Sequence, residues 1–509
     1  LSRKERAAQV VNAEALRTQI EQFVQSAAAP VLIQSGNPPL AFTTGTYLLE
    51  VERNRVILTA WDGERTVVLR LRRALGESRG RLQLEVERLA RRGEAVELVD
   101  AARPQARPAL ERCERRHLAE LLRTFLHRQF PEYAIAELSA DPDLEHSLSP
   151  VYARALAVRG REGLAAMAAP RDKPAADGLL TFALIWLDYL RRRERQVKVH
   201  TLVLLAPIGE EKQSACRLIF LDDRIQVILF AFDEEGRALL VDPKDHGNLD
   251  CSLPACPALE DLTGNREREL ILRLESVEGF EAVPQTSGRV SLRIRGLEFA
   301  YFHSGRLWVG LETKRQSAPS NFAELLALAQ QIAGVRHAGA PNRDHPLWRR
   351  APERWLEYQV RRNIQQLDAT LRPTPIYSEV PARAGLDRGA IDLLAIDSWG
   401  RLALLELKTE EEIHLPMQAL DYWIRTKWHL ERGDFAGGRY FAEMNVRTVA
   451  PRLLLIGPCL EFHPANDIVM SYFSPQVEAE RIGVAMHWRD RLEAAYRQPG
   501  PTRAPGGSS

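Results

Sequence analysis

The chain has 509 residues, 45% of them hydrophobic, and carries 69 basic against 68 acidic side chains, a formal net charge of +1. That length is too great for one hydrophobic core and predicts several domains, while the near-neutral balance excludes a whole-chain affinity for polyanions. No apolar run approaches the ~18 residues of a membrane helix, the first residues lack a secretory apolar stretch, and the five scattered cysteines form no paired zinc motif, so a cytoplasmic protein is expected.

Residues 1–108 read as an amphipathic helix followed by short β runs such as TYLLEV, RVILTAW and TVVLRLR, separated by glycine-containing turns. Such a β-rich domain could bind nucleic acid, mediate dimerisation or act as a scaffold. From Val51 to Phe130 there are 18 arginines against 12 acidic residues, whereas Ala351 to Gly500 has 18 basic against 21 acidic. The basic region could supply phosphate contacts or be an arginine-rich surface. Residues 109–285 read as an α/β domain. A helix, ERCERRHLAELLRTFLHRQF, leads into the strand YAIAELS, and a later helix, LIWLDYLRRRERQ, leads into HTLVLLAPIG. Between them, DLEHSLSPVYARALAVRGREGLAAMAAP reads as helical or irregular. Its Asp143, Glu145 and His146 form a polar cluster of residue types that commonly cap helices.

Residues 286–349 read as a hairpin-and-helix connector. Glu298, Glu312 and Lys314 within it repeat a spacing that matters further on, but no suitably placed glutamine follows, so coincidence is the better reading. Residues 350–492 form the last α/β domain, and 493–509 a disordered tail.

The stretch that carries chemistry is Tyr377 to Trp423. Ala390–Ile396 and Arg401–Leu407 are apolar runs around the turn residues Asp397-Ser398-Trp399-Gly400, a β-hairpin pattern. Alternation puts Glu406 and Lys408 on one face, and the register sets Asp392 opposite Leu405 or Glu406. Paired carboxylates repel unless a cation neutralises them. Mg²⁺, for which Mn²⁺ could substitute, would be held by Asp392, Glu406 and the Leu407 carbonyl, with Lys408 beside a nucleophilic water. Only 8 of the 69 basic residues are lysine, which sets Lys408 apart from a generic surface cation.

Asp392, Glu406 fourteen positions on, then Leu407-Lys408 resemble the D…ExK signature of the PD-(D/E)XK nuclease superfamily, with Ile391 where many members have proline. Gln418 and Tyr422 resemble the QxxxY element of its RecB-like members, and Glu357 resembles the supporting helix glutamate. Glu379 is a further candidate ligand. The order of the elements is similar to that of the mismatch-nicking endonucleases. The resemblance covers roughly residues 350–491 and implies a restriction-endonuclease-like α/β core with a central mixed sheet, Mg²⁺-dependent phosphodiester hydrolysis, nucleic acid as partner with DNA favoured over RNA, and a homodimer as one arrangement. The alternative is a non-catalytic nucleic-acid-binding or complex-assembly protein that keeps the fold. Residues 109–285 echo the same outline, either as a diverged, inactive copy or as an ordinary α/β domain.

Overall fold

The computed structural model describes residues 13–500 apart from 35–36, 54, 63–64, 88–94, 234–235, 246–250, 318–321 and 385–388. The chain is mixed α/β and multidomain. It divides into two compact units, residues 1–179, 189–208 and 230–239 in one, and 180–188, 209–229 and 240–509 in the other.

The first unit begins with α1 (Ala13–Ser26), which buries Leu16, Ile20, Phe23 and Val24 along one helical stripe. It covers an antiparallel sheet of β1 (Pro30–Ile33), β2 (Leu40–Ala41), β3 (Tyr47–Glu52), β4 (Arg55–Trp61), β5 (Thr66–Ser78), β6 (Arg81–Val86) and β7 (Ala95–Asp100), in the order β2-β1-β7-β6-β5-β4-β3. Strands β4 and β6 alternate buried and more exposed residues, as expected of a sheet with one face in the core. The β runs read from the sequence thus form one seven-stranded antiparallel sheet.

An α/β module follows: α2 (Arg107–Gln129), β8 (Ala134–Ser139), β9 (Ala153–Arg159), β10 (Glu162–Ala168), α3 (Lys173–Arg193), β11 (Lys198–Pro207), α4 (Lys212–Leu218), β12 (Gln226–Phe232) and β13 (Ala238–Leu240). Its sheet runs β13-β12-β11-β10-β9-β8. The β8–β9 and β9–β10 pairs are antiparallel and β10–β11 is parallel. The segment expected to be helical or irregular is thus a central hairpin. Its alanines favour helix in isolation, but Ala153, Ala155, Ala157, Ala165, Ala166 and Ala168 are fully buried, and sheet context overrides propensity.

In the second unit, β14 (Cys251–Ser252), α5 (Leu259–Leu262) and α6 (Asn265–Leu274) precede an antiparallel meander of β15 (Phe280–Pro284), β16 (Arg289–Ile294), β17 (Leu297–His303), β18 (Arg306–Val309) and β19 (Arg315–Ser317), followed by α7 (Phe322–Val335) and α8 (Pro346–Arg349). Leu270 and Leu274 of α6 and Leu325, Ala329 and Ile332 of α7 share a core with Val290, Leu292 and Phe299. This is more than the connector expected over 286–349, because the helix before the meander supplies half of its cover.

The last module comprises α9 (Pro352–Leu367), β20 (Tyr377–Pro381), β21 (Arg383–Ala384), β22 (Ala390–Ile396), β23 (Leu402–Leu407), α10 (Leu415–Glu431), α11 (Asp434–Gly437), β24 (Arg452–Pro458), α12 (Ala465–Met470), β25 (Glu478–Val484) and β26 (Ala494–Pro499). Its sheet runs β20-β22-β23-β24-β25-β26. The first two pairs are antiparallel, β23–β24 and β24–β25 parallel, and β25–β26 antiparallel. Strands β23 and β24 are buried almost throughout, the pattern of parallel strands covered on both faces.

The expected tail begins too early. Tyr496 of β26 lies over Gly483, where a Cβ would come within 2.2 Å of its ring, and Arg497 pairs with Glu480 at 2.6 Å. Residues 501–509 lie outside the described residues.

Candidate metal centre

The β22–β23 register pairs Leu393 with Leu405; one residue further, Asp392 stands across from Glu406, which resolves the two registers left open by the sequence. On the other side, Ser378↔Leu393 and Val380↔Ile391 flank Glu379 and set it across from Asp392. Glu379, Asp392 and Glu406 therefore form a row over three adjacent strands. Glu379 interrupts the ladder with φ +52°, a left-handed conformation that costs a non-glycine residue about 1–3 kcal/mol. Helix α9 adds Glu353 and Glu357.

These acids fall into two groups. Asp392 Oδ2 accepts a hydrogen bond from the Leu407 N–H at 2.9 Å, yet burial pushes its carboxyl up to about 6, with Glu357 adding repulsion. Burial, and after it the Asp392 charge, raises Glu406 well above the ordinary carboxylate range. Glu406 is 3% exposed, and its Oε2 has no hydrogen-bond partner. Buried carboxylates in this state favour a proton or a bound cation.

Glu357 and Glu379 are already neutralised. Arg354 reaches Glu357 Oε2 at 2.7 Å and Glu379 Oε1 at 2.6 Å. Arg293 of β16 reaches Glu357 Oε1 at 3.3 Å and also donates to Glu379 Oε2. Two guanidinium groups and two carboxylates alternate in a closed ring, with all four carboxylate oxygens engaged. Gln285 adds a bond to Glu379 at 2.8 Å. Burial works to raise the Glu379 carboxyl, but Arg293 and Arg354 outweigh it and hold the group below its ordinary value. Glu357, expected as the supporting helix glutamate, and Glu379, expected as a further candidate ligand, are thus both held by the two arginines.

Arg293 had no local signal. Strand β16 reads RVSLRI, and nothing there announces that Arg293 is buried against a helix residue 64 positions away.

Lys408 follows Glu406 on the same strand face and stands 3.8 Å from Glu353; its charge lowers both Asp392 and Glu406, against the larger effect of burial. Helix α10 presents Gln418 one turn from Tyr422, and the Gln418 amide donates to the Tyr422 hydroxyl at 3.1 Å. Tyr422 is 7% exposed and lies over Gly389, where a Cβ would come within 2.6 Å of the ring. Its first role is packing against the entry to β22. Among the described residues, Gln418 makes no hydrogen bond to Asp392 or Glu406.

The chain matches no family model and no curated protein. Among the described residues no group of three or more His, Cys, Asp or Glu is arranged to hold a metal ion. What remains is a pair of desolvated carboxylates, Asp392 bonded to the Leu407 N–H and Glu406 with one oxygen unpartnered, a donor set that fits a Mg²⁺ ion retaining several waters and does not fit a closed protein cage.

A cleft of about 290 Å³ opens just past Lys408, lined by residues including Thr409, Glu410, Trp348, Trp488 and Arg489. Arg489 lies 4.1 Å from the Trp488 ring centroid and 4.4 Å from that of Trp348.

The other sequence candidates are structural. Asp143 bridges to Leu148 and holds His146 at 2.9 Å within a tight turn. Lys314 pairs with Glu298 at 3.2 Å, while Glu312 faces Arg350. Cys113, Cys256 and Cys459 are free thiols.

Proposed function

We propose that the C-terminal module is a metal-dependent nuclease of the PD-(D/E)XK type that hydrolyses phosphodiester bonds in DNA. The observation that carries this reading is a contrast within the row: Asp392 and Glu406 are deeply buried and, among the described residues, hydrogen-bonded to no arginine, with one Glu406 oxygen unpartnered, while their neighbours Glu357 and Glu379 are each bonded to two. Such a pair destabilises a fold that has no cation for it.

Asp392 and Glu406, with the Leu407 carbonyl, would hold Mg²⁺. When bound, the ion supplies Lewis-acid polarisation of a phosphoryl oxygen and a more acidic water. The chain's own residues do the rest. The Leu407 N–H fixes one Asp392 oxygen, leaving the other for a ligand. Lys408 offers a positive charge and a transferable proton at Nζ, placed to orient a water and to offset charge developing on the phosphate. The Arg293–Arg354 ring stiffens α9 and β20 around the row. Trp348 and Arg489, both partly exposed in the cleft, offer planar groups on which unpaired bases could stack. The resemblance to RecB-like and mismatch-nicking enzymes favours DNA over RNA.

The test is cleavage of circular and linear DNA, single- and double-stranded, with RNA alongside, in Mg²⁺ or Mn²⁺. The expected result is cleavage that Asp392→Asn and Lys408→Ala abolish without unfolding. The engagement of Glu357 and Glu379 by arginine favours a second reading, a non-catalytic binding or assembly role; absence of both cleavage and metal binding would establish it in place of the first.

A further inference from the structure

The two α/β modules repeat one another strand for strand. The order β8-β9-β10-β11-β12-β13 has the same sequence of connections as β20-β22-β23-β24-β25-β26, and backbone bonds fix the correspondence residue by residue. Strands β11 and β24 end in Pro207 and Pro458. The next residue of each bonds across to the end of the following strand, Ile208 N to Phe232 O at 2.9 Å and Cys459 N to Val484 O at 2.8 Å. Ala169 N bonds to Leu205 O and Lys408 N to Ile456 O, each at 3.0 Å. Ala169 therefore stands where Lys408 stands, and Met167, paired with Leu204, stands where Glu406 does. Arg154, across from Met167, takes the place of Asp392, and Ser139 that of Glu379. None of these four positions of the first copy carries a carboxylate or a lysine.

Within the second unit, segments of the two copies meet about a local two-fold relation. Phe220 lies twelve residues before Phe232, and Tyr472 twelve before Val484. Asp222 N donates to Tyr472 O and Ser474 N donates to Phe220 O, both at 2.8 Å, around a bridge between Leu221 and Phe473. Each bond is the other's counterpart. Beside this pairing, each helix's Leu-Asp-Tyr aspartate meets the other copy through a different partner: Asp421 of α10 takes a two-pronged bond from Arg217 of α4 at 2.7 Å, and Asp188 of α3 faces the Tyr472 hydroxyl at 3.5 Å. Reciprocal pairing of this kind is the mark of an isologous dimer interface, here closed inside a single chain.

We propose that the chain is a self-contained pair of one catalytic and one non-catalytic copy of the same fold, and that it cuts one strand of a DNA duplex per encounter. This rests on the nuclease reading above. A symmetric dimer brings two centres to two strands; this chain brings one centre, and the face through which a second catalytic copy would dock in the same manner is taken by the corresponding segments of its own first copy. A homodimer through that face is thereby replaced by a monomer.

The experiment uses the full chain and supercoiled plasmid in Mg²⁺ and Mn²⁺, at chain concentrations below and above that of the plasmid, with molar mass measured by light scattering. Nicked circles accumulating to near completion before linear molecules appear, from a monomeric chain holding one metal ion lost in Asp392→Asn, support the proposal. Linear product formed together with nicked circles in a single encounter overturns it while leaving the nuclease reading intact. So does cleavage confined to free ends or single strands. No cleavage of any substrate overturns the nuclease reading and the proposal with it.

Discussion

The first and last α/β modules share strand order, the direction of their first four strands and equivalent backbone bonds, yet differ at the positions where chemistry is proposed. Arg154, Met167 and Ala169 stand in one where Asp392, Glu406 and Lys408 stand in the other. The fold does not need the acids. In the first module Met167 is buried and apolar, and the sheet closes over it as over any core residue. In the last module the same place holds a carboxylate with an oxygen that bonds to nothing. A buried carboxylate without a partner costs stability unless a proton or a cation neutralises it, a cost that Met167 does not carry.

Four changes would break or sharpen this contrast, taken from the largest expected effect downward. Asp392→Asn and Lys408→Ala are expected to lower cleavage by roughly 10³-fold or more, as loss of a charged group aimed at the transition state does, read as initial rates of plasmid nicking; retention of wild-type rates would remove the site assignment. Next is Arg293→Met, which leaves Glu357 and Glu379 with one arginine between them. Removing one partner of a buried ion pair costs about 3–5 kcal/mol, so the chemical-denaturation midpoint should fall sharply, whereas the same change at exposed Arg349 should leave it unmoved.

A third prediction concerns pH. The Asp392 carboxyl is raised to about 6 in the folded chain, above an unfolded value near 4. The folded state therefore holds more protons than the unfolded chain between these values, and the metal-free protein loses stability as pH rises through that window. The higher Glu406 value extends the loss upward. Asp392→Asn should raise the melting temperature at pH 8 and leave it little changed at pH 4, and Mg²⁺ should reproduce the rise only in the wild type. The smallest effect is expected from the reverse exchange, Met167→Glu. One buried carboxylate without a cation should destabilise at pH 8 and recover as pH falls, by about 1.4 kcal/mol for each tenfold difference in proton affinity between the folded and unfolded chain, with no gain of cleavage.

Much of the last module was legible because its signals are local. Alternation around the turn at Asp397–Gly400 gave β22 and β23 and narrowed the partner of Asp392 to Leu405 or Glu406, between which only the strand register decides. The first module's hairpin was not legible, since its alanines suit a helix and only burial makes them strand. The arginine ring was hidden for a different reason. Arg293 and Glu357 are distant in sequence, and no periodicity in RVSLRI distinguishes an arginine bound for solvent from one bound for the core. Tyr496 was hidden in the same way, because a segment ending in Gly and Pro reads as a tail until Gly483 is seen to leave room for its ring.

The central claim is that Asp392 and Glu406 form a cation site. A calorimetric titration of the full chain with Mn²⁺ at pH 8 tests it most directly, with Asp392→Asn and Glu406→Gln as controls. The account predicts one ion per chain in the wild type and none in either variant. Binding that is absent in the wild type, or unchanged in both variants, would contradict it.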